Sequence, residues 1–259
     1  MNSEIRIEQL VEKHELEKVI PIEKAIWGNA TPVHQTYTTV KNGGLMLGAY
    51  DTDQLVGFSY GFSAYDGKEV YLYSHMLGIT QPYQKMGLGM KLKLKQAEIA
   101  EQMGYTKMKW TFDPLQSLNA YLNLAKLGAV GMTYKENYYG EMKDELNQGM
   151  PSDRMIIEWY WNQRSSMDVQ KVVDDQLLLR EVNGNPVTAD IADQLLQGKE
   201  YFVTIPNNIL ELKKEDLQKA LEWRMKTREV FLSLFKQGFQ AKHFIRDSNR
   251  PFGYFYFSK

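Results

Sequence analysis

The chain has no cysteine. Disulfides, thiolate metal sites and a cysteine nucleophile are excluded together. Histidine is scarce as well. His14, His34, His75 and His243 are scattered without ligand spacing, so no metal is expected. Lys and Arg total 31 against 32 Asp and Glu, a formal net charge of −1. That balance lacks the clustered positive excess that a nucleic-acid partner requires. No apolar run approaches the ~20 residues of a membrane span. The opening MNSEIRIEQ is unlike a signal peptide, so the sequence predicts no membrane partner and a cytoplasmic protein.

What remains is ordinary for a folded chain: 43% hydrophobic and 24% charged residues, enough to bury a sizeable core. The informative stretch is Val70–Met103, which reads strand, glycine-bearing turn, helix. VYLYSHMLGI is aromatic and β-branched, as in a strand buried on both faces. Gln81 and Pro82 break it, Gly87 and Gly89 follow, and a helical pattern opens at Met90. In that helix Met90, Leu94 and Ala97 share one side, Leu92, Ile99 and Met103 the other, which predicts packing between two layers. Glycines at a helix start let backbone N–H groups approach an anion, although many such turns serve packing alone. The GxxxxGK nucleotide loop and GxGxxG are both absent from this turn.

Gln84-Lys85-Met86-Gly87-Leu88-Gly89 resembles the Arg/Gln-x-x-Gly-x-Gly/Ala signature of the GNAT acyltransferases. The strand YTKMKWT (105–111) and the segment 112–128, ending in Leu127-Gly128, follow in the family's order. The resemblance spans roughly residues 4–161. It implies an α/β fold (α+β mixed sheet) of GNAT-like acyltransferase type. Residues 1–164 would form the acyl-CoA-binding catalytic domain, and residues 165–259 a smaller C-terminal α+β domain packing on it. It implies acetyl-CoA or another acyl-CoA as co-substrate, with Gln84, Lys85, Met86, Gly87, Leu88, Gly89 and Met90 around the pyrophosphate. Leu77 and Ile79 would offer backbone groups to the pantetheine arm. Asn119 and Asn123 share a helix face at i, i+4 and could hydrogen-bond the cofactor or be plain exposed polar residues.

The chemistry requires an ammonium to lose a proton before attacking the thioester, and a thiolate to leave. His75 has a suitable intrinsic pKa for the first task, although a histidine on a tyrosine-rich strand also fits a hydrogen-bonded core role. The family's usual acid is a tyrosine four residues before the glycine of Leu-Gly; here that position is Leu124. Either the thiolate leaves without an acid or another tyrosine serves: Tyr121, one turn earlier, or Tyr138, with Tyr134 and Tyr139 nearby, although tyrosines in such a segment also pack and anchor an edge. Ser117 occupies the family's usual asparagine position.

Elsewhere, residues 4–10 read as a strand and 14–27 as a helix interrupted at Pro21. Residues 31–44 read as a loop or broken helix; the resemblance implies a region closing over the acceptor, which His34 and Tyr37 could line, although surface residues with no site role fit as well. Residues 45–50, 54–63 and 69–79 form a meander, with Asp66-Gly67 as the hairpin signal. Alternation places Tyr71, Tyr73, His75 and Leu77 on one face. Residues 152–161 close the domain, and Arg154 at their start could read a substrate carboxylate or pair locally.

Residues 162–170 read as a linker. Beyond it come strands at 176–182 and 200–205, a short helix at 189–196, and a long helix at 217–236 capped by Asp216. Two strands at 239–246 and 252–257 finish the chain. Leu217, Leu221, Met225, Leu232 and Phe235 define the long helix's apolar stripe. Arg224 and Arg228 fall inside it, where they either snorkel or meet acids of the first domain, or else face the active cleft and hold a carboxylate of an amino-acid acceptor or a dicarboxylic acyl group.

The expected function is N-acyl transfer, acetyl or succinyl, to a small-molecule amine such as an amino acid, by a monomer or homodimer. The alternative is a non-catalytic acyl-CoA sensor.

Overall fold

Three antiparallel strands, β2 (Leu45–Asp51), β3 (Gln54–Tyr65) and β4 (Val70–Ile79), frame the first part of the molecule. The computed structural model describes residues 5–84, 86–141, 149–163, 171–189, 198–246 and 250–259. Its packing divides into two units, Met1–Trp110 and Thr111–Lys259. The boundary expected near Arg164 lies outside the described residues.

In the first unit β1 (Arg6–Gln9) pairs antiparallel with β2, and β5 (Met108–Phe112), where the chain passes between units, pairs parallel with β4. The sheet is therefore mixed. Short helices α1 (Lys13–Leu16), α2 (Ile20–Trp27) and α3 (Val33–Lys41) accompany it. Pro21 sits in the first turn of α2, where no intrahelical donor is lost, and Gly28 ends it at φ 77°. Leu16, Val19 and Ile22 pack with Met46, Phe58 and Tyr60 as a core on one face of the sheet.

The stretch expected as loop or broken helix is a full helix, α3. Its threonines satisfy their hydroxyls within the helix: Thr38 Oγ1 donates to the His34 carbonyl at 2.8 Å and Thr39 Oγ1 to that of Gln35 at 2.9 Å.

On the other face runs α4 (Leu88–Gln102). Two-sided packing is not what α4 does. Leu94 and Met103 are exposed, and a single face buries Leu88, Leu92, Lys93, Gln96, Ala97, Ile99 and Ala100. The two-sided apolar reading missed that Lys93 and Gln96 lie on the buried side. β4 also departs from expectation, since its burial alternates rather than covering both faces.

The second unit carries a mixed sheet in the order β7 (Arg154–Trp159), β6 (Val130–Lys135), β11 (Gln240–Arg246), β12 (Phe252–Ser258), β10 (Glu200–Pro206), β8 (Leu177–Val182), β9 (Asn185–Thr188). β10 and β8 run parallel and the other pairs antiparallel. Its helices are α5 (Ser117–Ala120), which continues as a π turn over Tyr121–Lys126, α6 (Ile209–Glu215) and α7 (Leu217–Lys236). Asp216 caps α7 as expected, accepting from the Lys219 N–H at 2.9 Å. The short helix expected at 189–196 falls, beyond Ala189, outside the described residues.

The apolar stripe of α7 is rotated from the one expected. Leu217 and Met225 are 41% and 48% exposed, whereas Ala220, Trp223, Arg224, Thr227, Val230, Phe231 and Leu234 are buried. Aromatic packing decides the rotation. Phe231 meets Phe255 and Phe257 at 5.1 Å and Tyr134 at 5.6 Å between ring centroids.

Candidate active site

The register of β4 changes in its middle. Tyr73 pairs with Phe62 and Ser74 with Gly61, but Met76, not His75, pairs with Tyr60. His75 is the extra residue of a β-bulge. Cross-strand partners share a face, so Tyr73 and Met76 both lie with Tyr60 and Phe62. Leu77, paired with Ser59, lies on the opposite face, toward α4. The expected single face of Tyr71, Tyr73, His75 and Leu77 therefore breaks at Leu77, because strict alternation does not survive an inserted residue.

His75 sits among rings, with centroids 5.5 Å from Phe62, 6.1 Å from Tyr73 and 6.2 Å from Tyr60. Its residue surface still reaches solvent. Loss of hydration among these neighbours lowers its pKa from the usual histidine value, which favours a neutral imidazole at pH 7.

β4 and β5 share two residue pairs, Leu72 with Met108 and Tyr73 with Lys109. Past them β4 continues through Leu77 to Ile79, and among the described residues this edge pairs with no strand. The turn that follows is tied back by Gln84 Nε2, which donates to the Ile79 carbonyl at 3.0 Å. Gly87 then adopts φ 77° and precedes α4, and nothing lies within 4 Å of a Cβ built there. Glycine is needed at this position for conformation rather than space. The first intrahelical bond is Lys91 N–H to the Gly87 carbonyl, at 3.2 Å. Leu88, Gly89 and Met90 consequently have N–H groups with no helical acceptor, a geometry suited to phosphate. Met86 is exposed beside them; Lys85 lies outside the described residues.

Sequence reasoning passed over a polar cluster beneath this strand. Lys93 Nζ donates to Ser74 Oγ at 2.6 Å, and the Ser74 hydroxyl donates to Gln96 Oε1 at 2.6 Å. The available signal was the helical spacing of Lys93, Gln96 and Ala100, which puts a cation on a buried stripe.

The remaining nominated residues belong to the second unit. Asn119 is exposed and Asn123 buried, so they do not share a face as expected. The π turn shifts the register: Leu127 N–H reaches back to the Leu122 carbonyl, five residues away, at 2.9 Å. Tyr121 is half-buried with Lys126 Nζ 5.1 Å from its ring, and Leu124 is buried. Tyr138 is exposed and packs edge-on against Tyr139 at 4.8 Å.

The two arginines expected to read a substrate carboxylate, Arg154 and Arg228, are both engaged within the protein. Buried Arg154 donates from Nη1 to the Asp153 carbonyl at 2.9 Å and lies over the Tyr139 ring. Arg228 meets Asp153 through Nε and Nη2, each at 2.8 Å, and Glu136 at 3.1 Å. Arg224, fully buried, donates from Nη2 to both Asp113 carboxylate oxygens at 2.7 Å. Of the two readings of Arg224 and Arg228, pairing with local acids is the one these contacts realise. Asp113, Tyr134 and Asp153, which hold these pairs, had no distinguishing pattern in sequence.

Residues 13–128 match the family model described as Acetyltransferase (GNAT) family. This segment is a GNAT acetyltransferase domain. It contains the bulged β4, the open edge, the turn at Gly87, α4 and Leu127-Gly128. Its membership supports acyl transfer from coenzyme A.

Solved structures that this chain is similar to include the following three. The GNAT-family acetyltransferase from Streptococcus pneumoniae is 14% identical with a TM-score of 0.49, over 60% of this chain and 98% of that one. The IAA acetyltransferase from Bacillus cereus is 17% identical with a TM-score of 0.45, over 60% and 99%. A chain of the NatC complex bound to Gag peptide and CoA is 15% identical with a TM-score of 0.49, over 61% and 98%. No curated protein sequence matches the chain. Beside the GNAT segment, no helix among the described residues is long and apolar enough to cross a membrane, and no group of His, Asp and Glu there could hold a metal ion.

Proposed function

We propose that this protein is an acyl-CoA-dependent N-acyltransferase acting on a small-molecule amine. The observation that carries the reading is the continuity of one surface. The unpaired β4 edge runs directly into a helix start with free N–H groups at Leu88, Gly89 and Met90. An extended pantetheine chain can add to such an edge as a strand would, while the helix start takes the pyrophosphate. These residues fit coenzyme A, with Leu77 and Ile79 as the backbone partners.

The amine nitrogen attacks the thioester carbonyl, the C–N bond forms and the C–S bond breaks. His75, neutral near pH 7, takes the proton the ammonium must lose. Tyr121 and Tyr138 remain the candidate donors to the departing thiolate, with Asn119 near the cofactor. Arg154 is the candidate for an acceptor carboxylate; Arg228 is a weaker one, because Asp153 and Glu136 already take its donors. Acetyl and succinyl groups both suit the scheme, and free amino acids stay among the acceptors to be screened. We place the reaction in the cytoplasm. The alternative, an acyl-CoA sensor without chemistry, rests on Leu124 at the position where the family usually has tyrosine.

The test is thermal unfolding with coenzyme A, acetyl-CoA and succinyl-CoA, since a ligand of the native state raises the midpoint. Thiol release is then followed over a panel of amines. Stabilisation by an acyl form with turnover on some amine is expected. Stabilisation with no turnover on any amine favours the sensor, and no stabilisation by any form sinks both readings. Gly87→Trp abolishes the shift if the turn holds the pyrophosphate.

A further inference from the structure

α4 buries a lysine that no carboxylate among the described residues pairs with. Lys93 is 4% exposed, and its ammonium has Ser74 Oγ at 2.6 Å and the Trp110 ring centroid at 3.8 Å. The strands packed on this side of α4 present Leu45, Leu47 and Ala49 from β2, Ser59 and Gly61 from β3, Leu72 and Ser74 from β4, and Met108 and Trp110 from β5. None of these is a carboxylate or an imidazole. Gln96 is the polar neighbour on its own helix, and His75 lies on the other face of β4. Gln96 Nε2 and Ser59 Oγ are buried without a protein partner. A charge in such a place is costly to keep, and burial lowers the Lys93 amine to about 7.

The position matters as much as the burial. The β4–β5 ladder ends at Tyr73 and Lys109. Ser74 and Trp110 are the next residue on each strand, and Lys93 touches both. It stands at the apex where the strands part.

We propose that Lys93 is a positioning residue that sets the opening between β4 and β5, and that gain or loss of one proton on its amine changes that opening. The protonated form donates to Ser74 and is attracted to the face of Trp110; the neutral amine loses the second attraction. Because the Leu77 and Ile79 edge begins just past Ser74, the opening governs how an acyl-CoA arm seats there. That last consequence rests on the acyltransferase reading; the proton-linked opening does not.

The experiment is backbone and indole 15N NMR of the full chain from about pH 6 to about pH 9. The Ser74–Ile79 amides and the Trp110 indole are expected to move together with one midpoint near 7. The movement should vanish in Lys93→Met and survive in His75→Gln, which removes the neighbouring titrating group. Should Lys93→Met fail to fold, Ser74→Ala decides instead: losing the acceptor must lower the midpoint. Static resonances, or the same titration in Lys93→Met, overturn the proposal.

With turnover in hand, kcat of the wild type relative to Lys93→Met should change through the same midpoint while acyl-CoA affinity moves less than about twofold. If no acyl-CoA binds, the acyltransferase reading falls, and the amide titration still decides the role of Lys93.

Discussion

Asp153 receives Arg228 through two parallel bonds of 2.8 Å and accepts two further hydrogen bonds. The Tyr134 hydroxyl donates to it at 2.5 Å and the Asn137 backbone N–H at 2.9 Å. Burial alone would raise the Asp153 carboxyl; the hydrogen bonds from Arg228, Tyr134 and Asn137 outweigh it and hold the pKa below the usual value. This carboxylate ties α7 to β6 and to the turn that follows β6.

Replacing it should therefore be expensive. Asp153→Asn breaks a buried pair from one side, with an expected loss of about 3–5 kcal/mol. The sign with pH follows from the depressed value. The contribution is whole above the unfolded carboxyl pKa of about 3.9 and fades as pH falls through the lower folded value. Urea unfolding of both proteins across the acid range should show curves that converge at low pH. A constant gap would mean that the carboxylate's charge is not what stabilises.

Arg228→Met should lower stability and reduce turnover on amino acids and uncharged amines alike. A selective loss on amino-acid acceptors, measured by competing the two classes, would return Arg228 to substrate recognition.

His75→Gln should cut kcat by about 100- to 10,000-fold if the imidazole is the base. Affinity for acyl-CoA, read by calorimetry, should be unchanged. Because the folded pKa is lowered from 6.5, the acid limb of the wild-type rate profile should lie below that pH. The same shift makes the folded state bind this proton less readily than the unfolded chain, so its stabilising contribution falls as pH drops through the unfolded value. A rate profile identical in both proteins would leave His75 with a packing role.

Gly131 in β6 tests how tightly the second sheet is built. A Cβ there would stand 2.6 Å from Met155 Sδ and 2.8 Å from the Ala241 Cβ. Gly131→Ala should cost about 1–3 kcal/mol by overpacking. Ala241→Gly in the same chain should recover part of that loss, and full additivity of the two changes would show the contact is relieved elsewhere.

Much of this was legible in the sequence because it depends on local rules. The meander strands, the Asp66-Gly67 hairpin, the Gly87 turn and the Asp216 cap each declare themselves within a few residues. The Asn183-Gly184 turn was equally readable: both residues have positive φ, and they join β8 to β9, a strand not anticipated. What escaped depends on partners distant in sequence. Arg224 turns inward because Asp113 receives it, 111 residues away, and Lys93 because Ser74 and Trp110 do. Hydropathy assigns both to solvent. The π turn at Tyr121–Lys126 defeats any count by fours, so the relation of Asn119 to Asn123 was beyond periodicity.

The bulge at His75 makes β4 two half-strands with opposite parity. Its first half and its second half are mirror-set, so Met76 joins the layer of Tyr60 and Leu77 the layer of α4. Removing His75 would join Ser74 directly to Met76, whose partners Gly61 and Tyr60 are already neighbours, so Met76 to Ile79 would keep the layers they now occupy. Inserting a second residue, or deleting one on either side of a retained bulge, is what would exchange those layers. The extra residue thus separates two needs: it adds an imidazole to the aromatic layer without disturbing the pairing of the strand around it.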